Sequence, residues 1–121
     1  MQRSPFRILL IFTLALLIQF GVFASDGISG NWKHSSKPAV ISFNLESGIA
    51  TIKTHKLNKE AEGLTLIKEI LQHASSDQEW VGNMFNGYKG MFEPVTIRYL
   101  KAKEIAVFNA KNEEVLRLFR E

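Results

Sequence analysis

Alternation of apolar and polar residues is the strongest structural signal in this chain, and it predicts short β-strands. One run carries an apolar side chain at every second position: Ala39, Ile41, Phe43 and Leu45. Because successive side chains of a strand point to opposite faces, this run predicts a strand with one buried face. The turn residues Glu46-Ser47-Gly48 follow, and residues 49–55 alternate again, which indicates a hairpin.

Polar turns divide the later part of the chain into further strands, over residues 79–85, up to Leu100, 104–109 and 113–120. Asn86-Gly87 is the clearest of these turns because both residue types tolerate a positive φ. Pro94 cannot donate a hydrogen bond to a neighbouring strand, so it predicts a bulge or a sheet edge. Strands at intervals of about 8–12 residues favour an antiparallel barrel or sandwich. The alternation assigns these residues to the interior: Ile41, Phe43, Ile52, Trp80, Ile97, Leu116 and Leu118.

The segment from Leu64 to His73 fits two structures. The spacing of Leu64, Ile67 and Leu71 forms the apolar stripe of a helix, and acidic residues precede it. Gly63 and the β-branched residues of the segment favour a strand instead. The residues themselves leave helix and strand equally open.

Residues 1–24 have the three parts of a secretory signal peptide. Two arginines supply a positive start, and 17 uncharged residues rich in Leu, Ile and Phe follow. We expect cleavage between Ala24 and the polar Ser25, leaving a single β-barrel domain over residues 25–121. An uncleaved membrane anchor is the alternative, although the apolar stretch is short for a span. Export would place the mature chain in the periplasm or outside the cell, with no membrane span after cleavage.

Charge and cysteine content exclude several classes of function. The formal net charge is +3, and residues 25–121 hold only +1 of it, so the chain lacks the positive surface of a nucleic-acid binder. The absence of cysteine from all 121 residues excludes disulfides, thiolate zinc sites, cysteine nucleophiles and lipid-modified N-termini. An exported chain of this composition depends on its core for stability.

No sequence pattern of an enzyme or a metalloprotein is found. His34, His55 and His73 lie on separate predicted elements and form no metal-spaced pair, so we expect no metal site. The chain has no Gly-x-Ser-x-Gly turn, and the adjacent Glu113 and Glu114 point to opposite faces of a strand. We therefore expect no catalytic residues, no cofactor and no enzymatic activity.

Residues at the two ends of the predicted barrel resemble a known fold family. Gly30-Asn31-Trp32 opens the first strand, and Arg120 closes the last strand on the same face as Leu118. This pairing resembles the lipocalin-like barrels, in which a tryptophan plugs one end and an arginine stacks across it. The resemblance implies that Gly30, Trp32 and Arg120 form a structural closed end with a cation–π contact. It predicts a small all-β, antiparallel, lipocalin-like β-barrel of about eight short strands.

A closer resemblance extends over nearly the whole mature chain. Gly30-x-Trp32, Gly48, Gly63-Leu64 and Trp80-x-Gly82 occur in this order before Arg120. The chain resembles the domain of unknown function 2147 family, a group of small exported bacterial proteins with a lipocalin-like barrel and no established activity. The resemblance implies that the segment Gly63 to Leu71 contributes a strand.

One predicted hairpin is rich in large apolar residues: Met84, Phe85, Tyr88, Met91 and Phe92 lie within nine positions. A tight hairpin cannot turn all of them into one core. Phe85, Tyr88, Met91 and Phe92 are therefore candidates for a rim that contacts a ligand or partner. The alternative is that they only cap the open end of a small core.

These features favour an exported binding or envelope-accessory module of unknown role, whose partner is a small apolar ligand or an envelope protein. The inward rows are bulky, so we expect a small cavity and a ligand at the rim, against Phe85, Tyr88 and Phe92. The alternative is a protein-interaction module that uses the hairpin Met84–Phe92 and has no cavity. An enzyme is the least favoured class.

Overall fold

The computed structural model describes residues 27–121, which form eight β-strands and one short 3₁₀ turn, Lys59–Ala61. The predicted signal peptide, residues 1–24, and its cleavage site lie outside the described residues. The strands are β1 (Gly30–His34), β2 (Ala39–Asn44), β3 (Ile49–His55), β4 (Thr65–Gln72), β5 (Glu79–Asn86), β6 (Met91–Lys101), β7 (Glu104–Phe108) and β8 (Glu114–Arg120). No helix in this part of the chain is long and apolar enough to cross a membrane.

The strands form one closed antiparallel barrel, which confirms the predicted all-β fold of eight short strands. Each strand pairs with the next along the chain, and β8 pairs with β1, where Trp32 lies opposite Arg120. The connections β1–β2, β3–β4, β5–β6 and β7–β8 share one end of the barrel, which we call the upper end. Gly30 and Arg120 lie at the opposite, lower end.

Large side chains fill the barrel interior. The largest of those that are fully buried are Trp32, Trp80, Ile28, Ile67, Ile97, Ile105, Leu118 and Val107. The predicted interior row is confirmed, with Ile52 and Leu116 partly buried against the same core as the other five residues. Small, bulky-walled barrels of eight strands leave little internal space, and this interior follows that rule.

Within the ambiguous segment Leu64 to His73, residues Thr65–Gln72 form the strand β4, so the helical interpretation of the apolar spacing is wrong. Leu64 and Leu71 are 58% and 67% exposed, whereas Ile67 and Ile70 are buried. The pairing of β4 with β5 shifts between Lys68 and Leu71, and Glu69 within this interval has a φ of 56°. The bulge adds a residue to one side of the pair, so two residues three positions apart can both face the interior.

Pro94 lies at a local sheet edge, as the sequence predicts. It pairs with Asn83 of β5, whereas the pairing of β6 with β7 begins only at Thr96. The missing N–H of proline is tolerated where a strand has a partner on one side alone. This leaves the first half of β6 open toward the β7–β8 turn.

Candidate functional site

The lower end of the barrel is closed by Trp32 and Arg120. Trp32 is fully buried, and the guanidinium carbon of Arg120 lies 4.1 Å from the centroid of its ring. Arg120 also donates hydrogen bonds to the carbonyl oxygens of Ser29 and Gly27, both at 2.7 Å. The predicted packing of Arg120 on Trp32 is therefore confirmed, and it fastens the last strand to the start of the described chain.

Tyr99 completes this closed end, although no sequence signal marked it as part of the plug. Its ring meets Trp32 and Trp80 edge-to-face, with centroid distances of 6.2 and 5.7 Å. Its hydroxyl donates to the carbonyl of Gly27 and accepts from Arg120. The alternation of β6 assigns Tyr99 to the interior, but only the fold brings it to Arg120.

Gly30 has a specific reason to be glycine. Its φ is 116°, and a Cβ built at this position would lie 3.2 Å from Nη1 of Arg120. Both the backbone conformation and the close approach of the guanidinium disfavour a side chain. The three predicted closed-end residues, Gly30, Trp32 and Arg120, thus lie together.

The upper end carries an apolar groove of about 430 Å³ that is open to solvent. Its apolar lining comes from Met84, Phe85, Tyr88, Pro94, Val95 and Val115. A groove of similar volume, about 440 Å³, lies across the outer face near Leu71 and Val81 and is more open to solvent. The upper groove is the stronger candidate because it is more enclosed and contains two of the predicted rim residues.

The four predicted rim residues take different positions. Phe85 and Tyr88 line the upper groove, and Tyr88 is completely exposed. Met91 is 53% exposed but lies outside the lining. Phe92 also lies outside the lining. Its ring packs edge-to-face on that of Phe85 with a centroid distance of 5.4 Å, and the ammonium of Lys68 lies 4.2 Å from the centroid of the Phe92 ring.

Asn86 fixes the hairpin that presents Tyr88. Its side-chain oxygen accepts the backbone N–H of Tyr88 at 2.9 Å, and its carbonyl accepts the N–H of Gly90 at 2.8 Å. Gly90 has a φ of 67°, a conformation that glycine adopts without strain. The turn therefore has a defined geometry, and Tyr88 projects from it into solvent.

Glu93 and Lys37 are the charged residues of the groove lining, and the sequence interpretation assigned neither to the site. Glu93 accepts from the amide of Asn86 at 2.8 Å and from the ammonium of Lys89 at 2.9 Å. These two hydrogen bonds hold the pKa of Glu93 below its usual value, and the bond from Asn86 has the larger effect. Alternation from the buried Val95 could have identified Glu93 as inward-facing, whereas no sequence signal pointed to Lys37.

The histidines have a shared structural role as acceptors for turn amides. Nδ1 of His34 accepts the backbone N–H groups of Ser36 and Lys37 at 3.0 and 3.1 Å. Nδ1 of His55 accepts from Asn58, and Nδ1 of His73 accepts from Ser75. A backbone N–H can only donate, so each of these Nδ1 atoms carries no proton and accepts through its lone pair.

His34 holds the turn that carries Lys37. Burial lowers the pKa of His34, and the positive charge of Lys37 and the proximity of His55 lower it further. The neutral ring is the form that can accept the two turn hydrogen bonds. The hydrogen bonds that hold the backbone of Lys37 beside the groove therefore use the uncharged form of His34.

Comparisons of this chain with protein-family models, with curated proteins and with solved structures gave no match. Over residues 27–121, no three His, Asp or Glu side chains come together in a potential metal site. The upper groove and its rim are thus the features from which a function can be inferred.

Proposed function

We propose that this chain is an exported, lipocalin-like binding module that takes a small apolar ligand in the groove at the upper end of the barrel. The observation that carries the proposal is the apolar groove of about 430 Å³, with Phe85 and Tyr88 in its lining. Small-molecule sites of proteins have volumes in this range, with apolar walls and a few polar groups.

The filled interior supports a site at the rim rather than inside the barrel. Trp32, Trp80 and Tyr99 pack on one another in the interior, and Ile67 and Ile97 belong to the same buried core. A ligand that entered deeply would have to displace close-packed side chains, which is unfavourable. The ligand of this proposal therefore lies between the hairpin and the β7–β8 turn.

Export through a signal peptide at residues 1–24, to the periplasm or the outside of the cell, is part of the proposal. So is membership in the domain of unknown function 2147 family. The contacts of Arg120 and Tyr99 with the carbonyl of Gly27 support the proposed cleavage site, because cleavage after Ala24 would leave these contacts intact. The joint packing of Gly30 and Trp32 with Arg120 is compatible with the same family.

The direct test is a titration with the neutral fluorescent probe Nile red. We expect saturable binding by the chain that starts at Ser25. The double variant Phe85→Ala, Tyr88→Ala should bind the probe at least about fivefold more weakly, because the groove loses two apolar walls. Phe119→Ala is the matched control, since Phe119 is 41% exposed, as Phe85 is, but lies on β8 near the lower end. Equal affinity of the wild type and the double variant would contradict the proposal.

A second candidate, a protein-interaction module, is favoured by the apolar surface beyond the groove. Leu57, Leu64 and Met91 are 81%, 58% and 53% exposed, and all lie at the upper end outside the groove lining. A small ligand in the groove would leave these side chains exposed, whereas a protein partner could cover them. The double variant Leu57→Ser, Met91→Ser separates the two functions. This variant should retain Nile red binding. If it no longer binds a purified envelope partner that the Phe85→Ala, Tyr88→Ala variant still binds, the second function is favoured.

A further inference from the structure

The charges in the upper groove are unequally neutralised. Both carboxylate oxygens of Glu93 are engaged, Oε1 by the amide of Asn86 and Oε2 by the ammonium of Lys89. Lys37, the other charged residue in the lining, forms no ion pair with any carboxylate of residues 27–121. The groove thus combines a satisfied negative group with an available positive one.

The surroundings of the groove do not reverse this balance. An adjoining concavity shares Glu93 and Asn109 with it and adds Lys111 and Glu113. Glu113 accepts a hydrogen bond from Asn109 at 2.9 Å, and Lys111 has no ion pair with the described carboxylates. Lys111 and Glu113 offset each other in charge along the β7–β8 turn, so the positive charge that a ligand meets in the groove is that of Lys37.

The position of Lys37 is set by the fold. Its backbone N–H donates to Nδ1 of His34 at 3.1 Å, and the carbonyl of Lys37 accepts the N–H of Ala39 at 2.8 Å. Both contacts lie within the short β1–β2 turn and fix its backbone conformation. A preorganised turn loses less entropy when its side chain engages a ligand.

We propose that the ligand is an amphipathic carboxylate of medium chain length, with its apolar part on Met84, Phe85 and Val115 and its carboxylate on the ammonium of Lys37. This rests on the proposed function, because it assigns the ligand class of the same groove. The apolar lining explains the chain and the available ammonium explains the charge, as charge complementarity requires. The modest volume suits a free medium-chain ligand rather than a membrane surface.

The test is displacement of Nile red by decanoate and by decanol, which have the same chain length but differ in charge. At neutral pH we expect decanoate to compete about three- to tenfold more strongly than decanol, as for a partly exposed charge-assisted contact. Lys37→Met should remove this difference and leave competition by decanol unchanged. Lys37→Arg should keep it.

Two control variants make the assignment specific. Lys103→Met removes an exposed charge from the lower end and should change the competition of neither decanoate nor decanol with Nile red. Lys111→Met removes the ammonium of the adjoining concavity that has no ion pair with the described carboxylates, and a loss of selectivity in this variant rather than in Lys37→Met would overturn the proposal. Folding of each variant is checked by its urea midpoint.

The outcomes separate this inference from the function on which it rests. If decanol and decanoate compete equally in the wild type, the groove binds apolar ligands but the charge assignment is wrong. If neither competes and Nile red binding is insensitive to Phe85→Ala, Tyr88→Ala, both proposals are wrong. Sedimentation with phosphatidylglycerol vesicles that depends on Lys37, with no decanoate selectivity, would assign the charge to a membrane surface and overturn the proposal.

Discussion

Arg120 and Trp32 lie directly opposite each other in the pair that closes the barrel, and the guanidinium of one stacks on the indole of the other at 4.1 Å. The same guanidinium binds the carbonyl oxygens of Gly27 and Ser29. One side chain thus joins the last strand to the first and to the segment that precedes it. A cation–π contact is stronger when the ring is removed from water, as the buried Trp32 is.

Arg120→Ala should destabilise the barrel by roughly 1–2 kcal/mol, because the cation–π contact and the packing of the side chain are lost. Arg120→Lys keeps a positive charge but cannot donate to two carbonyl oxygens in the same planar arrangement, so it should recover only part of the loss. The free energies of unfolding in urea give the comparison. A loss below about 0.5 kcal/mol for the alanine variant would show that this contact contributes little.

Gly30→Ala should cost roughly 1–3 kcal/mol, because an alanine at a φ of 116° is strained and its Cβ would lie 3.2 Å from Nη1 of Arg120. Gly87→Ala is the matched control, since no atom lies within 4 Å of a Cβ built there. The free energy of unfolding of this variant should be unchanged or higher by up to about 1 kcal/mol, because alanine reduces the conformational entropy of the unfolded chain. Equal stabilities of the two variants in chemical denaturation would contradict the assigned role of Gly30.

Leu118→Ala should destabilise the barrel by about 2–5 kcal/mol, because Leu118 is fully buried in the core and its truncation leaves a cavity. Phe119→Ala changes the next residue on the outer face, which is 41% exposed, and should cost less than about 1 kcal/mol. Thermal unfolding followed by near-ultraviolet circular dichroism reports both losses. The reverse order would mean that the two faces of β8 have been assigned wrongly.

Stability should fall as the pH is lowered through and below 6.5, because the pKa of His34 in the folded chain is lower than the ordinary value of a histidine. A lowered folded pKa means that the unfolded state binds the proton more readily, so this contribution is fully present above pH 6.5 and is lost on acidification. The groups that act on His34 are Lys37 and His55, besides its burial.

His34→Asn isolates this effect, because the Asn oxygen can accept the turn amides but does not titrate in this range. Between pH 7.5 and about 5.5, the urea midpoint of the wild type should decrease relative to that of the variant. Parallel pH profiles would show that protonation of His34 does not weaken the β1–β2 turn. Because this turn carries Lys37, selectivity for decanoate over decanol should weaken over the same pH range.

The architecture was largely predictable because it depends on local patterns. Period-two alternation identified the strands around Phe43 and Ile97, and the turn residues Asn86-Gly87 separated β5 from β6 as observed. The segment Leu64 to His73 remained ambiguous because its bulge at Glu69 places buried residues three positions apart, as in a helix. A bulge depends on pairing with a distant strand, so its position is not readable from the segment alone.

The candidate site was only partly predictable. The composition of the hairpin marked Phe85 and Tyr88, which line the groove, but it also marked Met91 and Phe92, which do not. Phe92 lies directly opposite Phe85 in the β5–β6 pair, so the two rings share one face of the sheet and pack on each other, and only Phe85 reaches the groove. Register decides the face of each side chain, and composition contains no register.

By itself the sequence determined most of the strands, the turns between them and the interior row, because alternation and turn chemistry are properties of neighbouring residues. Only the tertiary structure decided that Tyr99 joins Trp32 and Arg120, and that Lys37 stands beside Met84 and Val115 across the upper groove. These residues are far apart in the chain, and their proximity results from the closure of β1 against β8. Contacts across a closed barrel depend on the registers of all eight strand pairs together, and no single segment specifies them.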